Sequence, residues 1–371
     1  MAIKRFNAAG PCLPAENYML PVLPRLPEED IKEIIDGKYY FIIHAPRQSG
    51  KTTYLDFLTN KINSECEYYA INCSLMTLRN IEDEDKAMQN LIDLINDALS
   101  SSQVNILKQK AYKYNSLPGI QNSNTKVKII LNNLCEDLDK DLIVFFDEAD
   151  CPTGQALLTF LGQIRDAYQI RHNKGNKFPR SMALVGMRDV RDYLSQVRPD
   201  SASMGVASLF NIKKDAFTLP NFTRSEIGTL YRQHTKASGQ VFLDSAIDRA
   251  WHWSEGQPWL VNALAYESVV KILRNDYSAT IDGKLMDQAA EALIKRRDAH
   301  IDSLWERLKE TRVARVMDSV FASTVSEVPV DSDDRKYCVD LGLVVPVENG
   351  NLRPANALYQ EILSRAILDP I

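Results

Sequence analysis

The sequence lacks paired cysteine motifs, long apolar runs and any excess of positive charge. Its six cysteines (Cys12, Cys66, Cys73, Cys135, Cys151 and Cys338) fall singly, with no CxxC and no Cys/His pair at zinc-ligand spacing. A zinc site or disulfide framework is therefore not expected, and reduced, structural thiols are. No stretch of about 18 apolar residues occurs, which argues against a membrane-spanning helix. The opening MAIKRFNAAGPCLP has no apolar signal-peptide core, so a cytoplasmic location is expected. A net charge of -5 supplies no general attraction to a polyanion. What is present is a globular composition, 45% hydrophobic and 25% charged over 371 residues, which exceeds what one core usually holds. Two or three domains are expected.

Pro11, Pro14, Pro21, Pro24 and Pro27 exclude an ordinary helix or central strand from the early chain and predict an extended arm. Pro27 followed by Glu28, Glu29 and Asp30 starts a helix, because acidic side chains complement the positive end of the helix dipole; Gly37 closes it. Short apolar runs then alternate with helical stretches. Tyr39 to His44, Tyr68 to Leu75, Leu142 to Asp147 and Ser181 to Met187 read as buried strands; Asp85 to Leu99 and Gly154 to Ile170 read as helices. Such alternation predicts an α/β fold with a mainly parallel sheet. Ser101 to Lys126 is polar and reads as a helix fragment and an exposed connection. Beyond about Asn221 helical patterns dominate: Ser225 to Ala237, Asp244 to Ser254, Pro258 to Arg274 and Gly283 to Lys309. The last stretch reads as two helices (Val313 to Ala322 and Asp333 to Leu341), then LVVPV and a turn at Asn349-Gly350, the layout of a winged-helix module.

Between the first strand and the next helix lies Ala45-Pro46-Arg47-Gln48-Ser49-Gly50-Lys51-Thr52-Thr53. This is the spacing of GxxxxGK[ST], a P-loop, with Ala45 in place of the first glycine. Backbone N–H groups of such a loop wrap a phosphate. Lys51 reaches the β- and γ-phosphates, Thr52 coordinates magnesium, and Thr53 touches the α-phosphate. The substitution at Ala45 puts loop geometry in question, since glycine normally permits unusual backbone angles there. In LIVFFDEAD, Asp147 and Glu148 emerge at the C-terminal edge of a buried strand, where open α/β sheets bind ligands. Asp147 is expected to hold Mg2+ and Glu148 to orient or deprotonate the attacking water; the bland alternative is that Glu148 and Asp150 are solvated loop charges. Arg188 follows SMALVGM at the same edge and is read either as a γ-phosphate contact or as an ordinary strand-end arginine. Arg47 and Arg165 are weaker candidates, and His44 is expected to be packed rather than catalytic.

HAPRQSGKTT, VFFDEAD, LVGMRD and SEGQPWLVNALA together resemble the extended AAA-type ATPases of the signal-transduction (STAND) and archaeal-ATPase group, and among these bacterial AAA-like ATP-binding proteins. The resemblance runs from FNAAGPCLP to LRPANALYQEI. It implies a P-loop core of the AAA+/ASCE type with an added strand between the two motif-bearing strands, a helical lid and a winged helix. In this sequence those fall at residues 38–220, 221–297 and 298–371, after an arm and helix at 1–37 that contact nucleotide. It also implies that Gly256-Gln257-Pro258 approaches the adenine and that the arm with Tyr18 helps enclose the base. ATP and Mg2+ are the implied cofactors, and assembly with a protein partner or further copies on ATP binding is the implied behaviour. No effector domain is evident up to Ile371.

Three functions compete. The first is an ATP-hydrolysing conformational switch or assembly factor. The second is a DNA-binding regulator acting through the winged helix, with Arg335, Lys336 and Arg353 as contacts; residues 298–371 hold 8 Lys/Arg against 13 Asp/Glu, and Asp331, Asp333 and Asp334 open the second helix, which suits a phosphate-lined groove poorly. The third is a nucleotide-binding subunit controlling a separately encoded effector, such as a nuclease in bacterial defence.

Overall fold

The computed structural model describes residues 3–115, 122–171, 177–187, 213–296, 307–321, 332–348 and 350–368. The chain divides into two compact units. One comprises Val22–Ala45 and Lys51–Leu219; the other comprises Met1–Pro21, Pro46–Gly50 and Pro220–Ile371.

The Val22–Leu219 unit is built on five strands: β1 (Tyr40–His44), β2 (Tyr69–Ser74), β3 (Leu142–Asp147), β4 (Ser181–Gly186) and β5 (Lys213–Thr218). Their order is β2-β3-β4-β1-β5, and every pair is parallel. β4 therefore lies between the two strands that carry the phosphate-loop and acidic motifs. Its helices are α1 (Glu28–Asp36), α2 (Lys51–Glu65), α3 (Glu84–Ser101), α4 (Asn105–Lys110), α5 (Lys126–Asp137) and α6 (Gly154–Ile170). β3 and β4 are buried at every position, as strands covered on both faces must be. Tyr40, Ile42, Ile71, Val144, Phe146 and Leu184 share a core with Leu91, Ile130 and Phe160 from the helices. Phe146 and Phe160 meet edge to face, with centroids 5.1 Å apart.

Two elements here depart from the sequence reading. β5 is an edge strand whose KKDAFT carries three charges, which guards an open sheet edge but hides the strand from an apolar-run search. α5 is a full helix at the end of the stretch read as a connection; Val127, Ile130, Leu131 and Leu134 recur at helical spacing and are buried, among polar Asn132 and Asn133.

The second unit holds α7 (Arg224–Ser238), α8 (Asp244–Ser254), α9 (Pro258–Tyr266), a π-helical turn (Glu267–Ile272), α10 (Gly283–Arg296), α11 (Thr311–Phe321), α12 (Asp333–Asp340), the antiparallel pair β6 (Val344–Pro346) and β7 (Leu352–Pro354), and α13 (Ala357–Leu368). The single helix expected over Pro258 to Arg274 thus changes to π geometry at Glu267. There a buried Glu267 carboxylate pairs with Arg296 at 2.7 Å. The proline-rich arm is ordered without regular structure. Phe6, Tyr18 and Leu20 enter the core beside Tyr231 and Phe242, and the Gln233 amide brackets the Met19 backbone on both sides.

α8 ends with Glu255 and Gly256, both left-handed at φ 43° and 75°. Gly256 is required here. A Cβ at this residue would lie 1.7 Å from the Phe222 carbonyl oxygen, while Phe222 N–H donates to the Gly256 carbonyl at 2.8 Å. Gly256→Ala is expected to destabilise this unit by about 2–3 kcal/mol, seen as a thermal midpoint lowered by roughly 5–10 °C. An unchanged midpoint would contradict this packing.

Candidate functional site

The loop after β1 begins with Ala45, which is buried and has no left-handed backbone; its N–H donates to the Gly186 carbonyl at 3.2 Å, prolonging the β1–β4 ladder. Alanine is therefore compatible with the first position of this loop. The left-handed turns come later, at Gln48 (φ 58°) and Gly50 (φ 89°), and Lys51 opens α2. Left-handed residues spaced through a short loop before a helix N-terminus turn successive N–H groups toward one point, the geometry of an anion nest. Ser49 is buried within it and Arg47 is exposed.

Lys51 Nζ donates to the Ala45 carbonyl at 2.6 Å. The Thr52 hydroxyl donates to Asp147 Oδ2 at 2.6 Å, joining the start of α2 to the end of β3. Asp147 is 2% exposed, and its other oxygen accepts the Glu148 N–H at 2.9 Å. Burial pushes its carboxyl above the usual carboxylate range, against the opposing pull of Thr52, the Glu148 N–H and Lys51. A cation beside it would offset that burial cost. Hydroxyl and carboxylate oxygens are hard donors suited to Mg2+, and no group of three or more metal-ligating side chains occurs among the described residues. The two together fit an ion that takes its remaining ligands from phosphate and water.

Glu148 stands at the sheet edge in a left-handed conformation (φ 54°), a sparsely populated region for a non-glycine residue. Its Oε2 accepts the Ser74 hydroxyl proton at 2.9 Å. Ser74 was not singled out from the sequence; its position follows from β2 pairing beside β3, with Ser74 opposite Asp147. Asp150 is likewise engaged. Its Oδ1 lies against Gly186 and accepts the Met187 N–H at 3.3 Å, tying the acidic segment to the end of β4. Arg79, after β2, donates to Cys151 Sγ at 3.5 Å, and its charge acts on Asp150 and Glu148. His44 sits beside Thr218 at 3.2 Å, as a packed residue would. Arg188 lies outside the described residues. Thr53 is buried in α2, and Pro258 is buried as the first residue of α9, capped by Gln257 Oε1 accepting the Leu260 N–H at 2.6 Å.

A parallel sheet in the order β2-β3-β4-β1-β5, with a GK[ST] loop after β1 and an acidic pair ending β3, is the fold of P-loop ATPase cores. Among solved structures, the Walker-type ATPase PABY2304 of Pyrococcus abyssi is similar at a TM-score of 0.63 and 13% identity, over 97% of this chain and 99% of that one. The Aeropyrum pernix ORC2 protein (TM-score 0.46, 13% identity, 91% and 92% covered) and the Thermotoga maritima RuvB Holliday junction branch migration motor (0.45, 13%, 91% and 95%) are more distant and carry no argument. No family model matches the chain, and no curated protein matches it.

Proposed function

We propose that the protein binds ATP with Mg2+ and hydrolyses it, using the nucleotide as a conformational switch or assembly signal. The observation that carries this reading is the Thr52–Asp147 hydrogen bond, which joins the phosphate loop to the acidic strand end beside Lys51 and Glu148. In this reading Lys51 faces the β- and γ-phosphates, and the 45–50 backbone with Thr53 holds the remaining phosphate oxygens. Mg2+ held by Thr52 and Asp147 supplies charge neutralisation at the phosphates. Glu148 accepts the proton of the attacking water. Arg188 is assigned to the γ-phosphate on its sequence position alone.

The division into 1–37, 38–220, 221–297 and 298–371 as arm, core, lid and winged helix is part of this proposal, as is a cytoplasmic location. No helix among the described residues is long and apolar enough to cross a membrane. ATP and ADP are the expected ligands, with a protein partner or further copies engaged on ATP binding; a separate effector, as in bacterial defence, is the expected outlet for the switch. The reading as a DNA-binding regulator is not favoured. Of its three basic contacts, Arg335 is buried and donates to the Gly350 carbonyl at 2.6 Å, and Arg353 forms a two-pronged pair with Glu255 at 2.6 and 2.7 Å. Measuring phosphate release and mass in solution, with and without ATP and magnesium, tests the proposal. Magnesium-dependent turnover with an ATP-dependent change in mass supports it; absence of both would overturn it.

The Ser74 hydroxyl holds Glu148 through one hydrogen bond, worth roughly 1 kcal/mol net. Ser74→Ala is expected to free the carboxylate and raise basal turnover about fivefold at unchanged ATP affinity. A loss of turnover in this variant would instead make Ser74 an aid to catalysis.

A further inference from the structure

Asn262 is a buried side chain with half of its amide unused. It is 7% exposed, in the second turn of α9. Its Nδ2 donates to the Pro258 carbonyl at 2.8 Å, and because a carbonyl only accepts, this bond fixes which end of the amide is which. Oδ1 is thereby an acceptor, and it has no hydrogen-bond partner among the described residues. Buried acceptors left unpaired are uncommon, because each forfeits its bond to water without a replacement. This one calls for a donor from outside the chain.

Its surroundings say which donor. Pro46–Gly50 of the phosphate loop, the arm and α9 belong to the same unit. Gln257, which caps α9, donates through Nε2 to the Arg47 carbonyl at 3.5 Å, so the start of α9 adjoins the loop. Trp259 donates through Nε1 to the Ala8 carbonyl at 2.8 Å, so the arm lies on the Trp259 face of the helix. Asn262 follows Trp259 by three residues and shares that face. It lies five residues beyond Gln257, about 7.5 Å along the helix axis. A nucleotide with phosphates at the loop extends its ribose and base over a span of that order.

We propose that Asn262 reads the nucleotide base, its Oδ1 accepting a hydrogen bond from the exocyclic 6-amino group of adenine. The assignment rests on the proposed nucleotide site and adds base selectivity to it. Adenine donates at position 6; hypoxanthine and guanine carry an oxygen there, whose lone pairs would face those of Oδ1. Rejection of a 6-oxo purine follows because the buried acceptor would again be left unpaired.

Inosine triphosphate differs from ATP at this position and tests the assignment. The wild-type protein is expected to bind ATP about tenfold or more tightly than inosine triphosphate. Asn262→Leu, close in size and without the acceptor, is expected to bind both with one affinity, near that of the wild type for inosine triphosphate. Its nucleotide-free thermal midpoint should be no lower than that of the wild type, since the unpaired acceptor is gone. Should leucine prevent folding, Asn262→Ala carries the same comparison. Preference for ATP retained in a folded variant, or no preference in the wild type, overturns the role of Asn262; binding of neither triphosphate by the wild type overturns the nucleotide site itself.

Discussion

Glu148→Gln is expected to lower ATP turnover by about two to four orders of magnitude while ATP stays bound. The amide keeps the size of the side chain but cannot take a proton from water. Asp147, Thr52 and Lys51 are untouched, and the Thr52–Asp147 bond at 2.6 Å does not involve Glu148. The variant should therefore accumulate the ATP-bound state. If nucleotide drives assembly, its mass or protease sensitivity should shift with ATP and stay shifted, because the step that removes the γ-phosphate is blocked. Single-turnover phosphate release beside an ATP-binding assay separates the two effects. Turnover at the wild-type rate would remove Glu148 from the chemistry and return it to an exposed loop carboxylate. The companion Arg188→Ala decides between the two readings of that arginine: an intact ATP response makes it an ordinary strand-end residue.

Lys51→Ala should act one step earlier, on binding. Removing the ammonium deletes charge-assisted hydrogen bonds to the β- and γ-phosphates, where the ligand's charge is concentrated. A loss of about 2–3 kcal/mol is expected, or roughly 30- to 150-fold in ATP affinity. The protein should remain folded, since the only bond described for Nζ is to the Ala45 carbonyl of the same loop. Affinity unchanged from the wild type would refute the phosphate loop. Together the two variants dissect the site: Lys51→Ala weakens binding, whereas Glu148→Gln retains binding and loses turnover.

The sheet was legible wherever burial on both faces wrote a continuous apolar run, as in β1, β3 and β4, and α6 spans the predicted Gly154–Ile170. β5 escaped because an edge strand needs charge where a central strand needs hydrocarbon. The π turn at Glu267–Ile272 was also hidden, since its apolar pattern continues that of α9 and the change lies in backbone hydrogen bonding alone. In the candidate site, the loop and the acidic pair could be read because each is contiguous in sequence. Ser74, Asp150 and Arg79 could not, because their roles depend on which strands become neighbours. Ser74 meets Glu148 across 74 positions of sequence only once β2 pairs with β3. Ala45 shows the reverse: the sequence raised a doubt about loop geometry, and the backbone removes it by placing the left-handed turns at Gln48 and Gly50.

The central claim is a phosphate site formed by the 45–53 loop and completed by Asp147. Titrating the purified protein with ATP in a calorimeter, with and without magnesium, tests it most directly. The account predicts saturable binding of one nucleotide per chain, strengthened by magnesium, competed by ADP and weakened in Lys51→Ala. No heat and no saturable binding at millimolar ATP, with the protein folded, would contradict it.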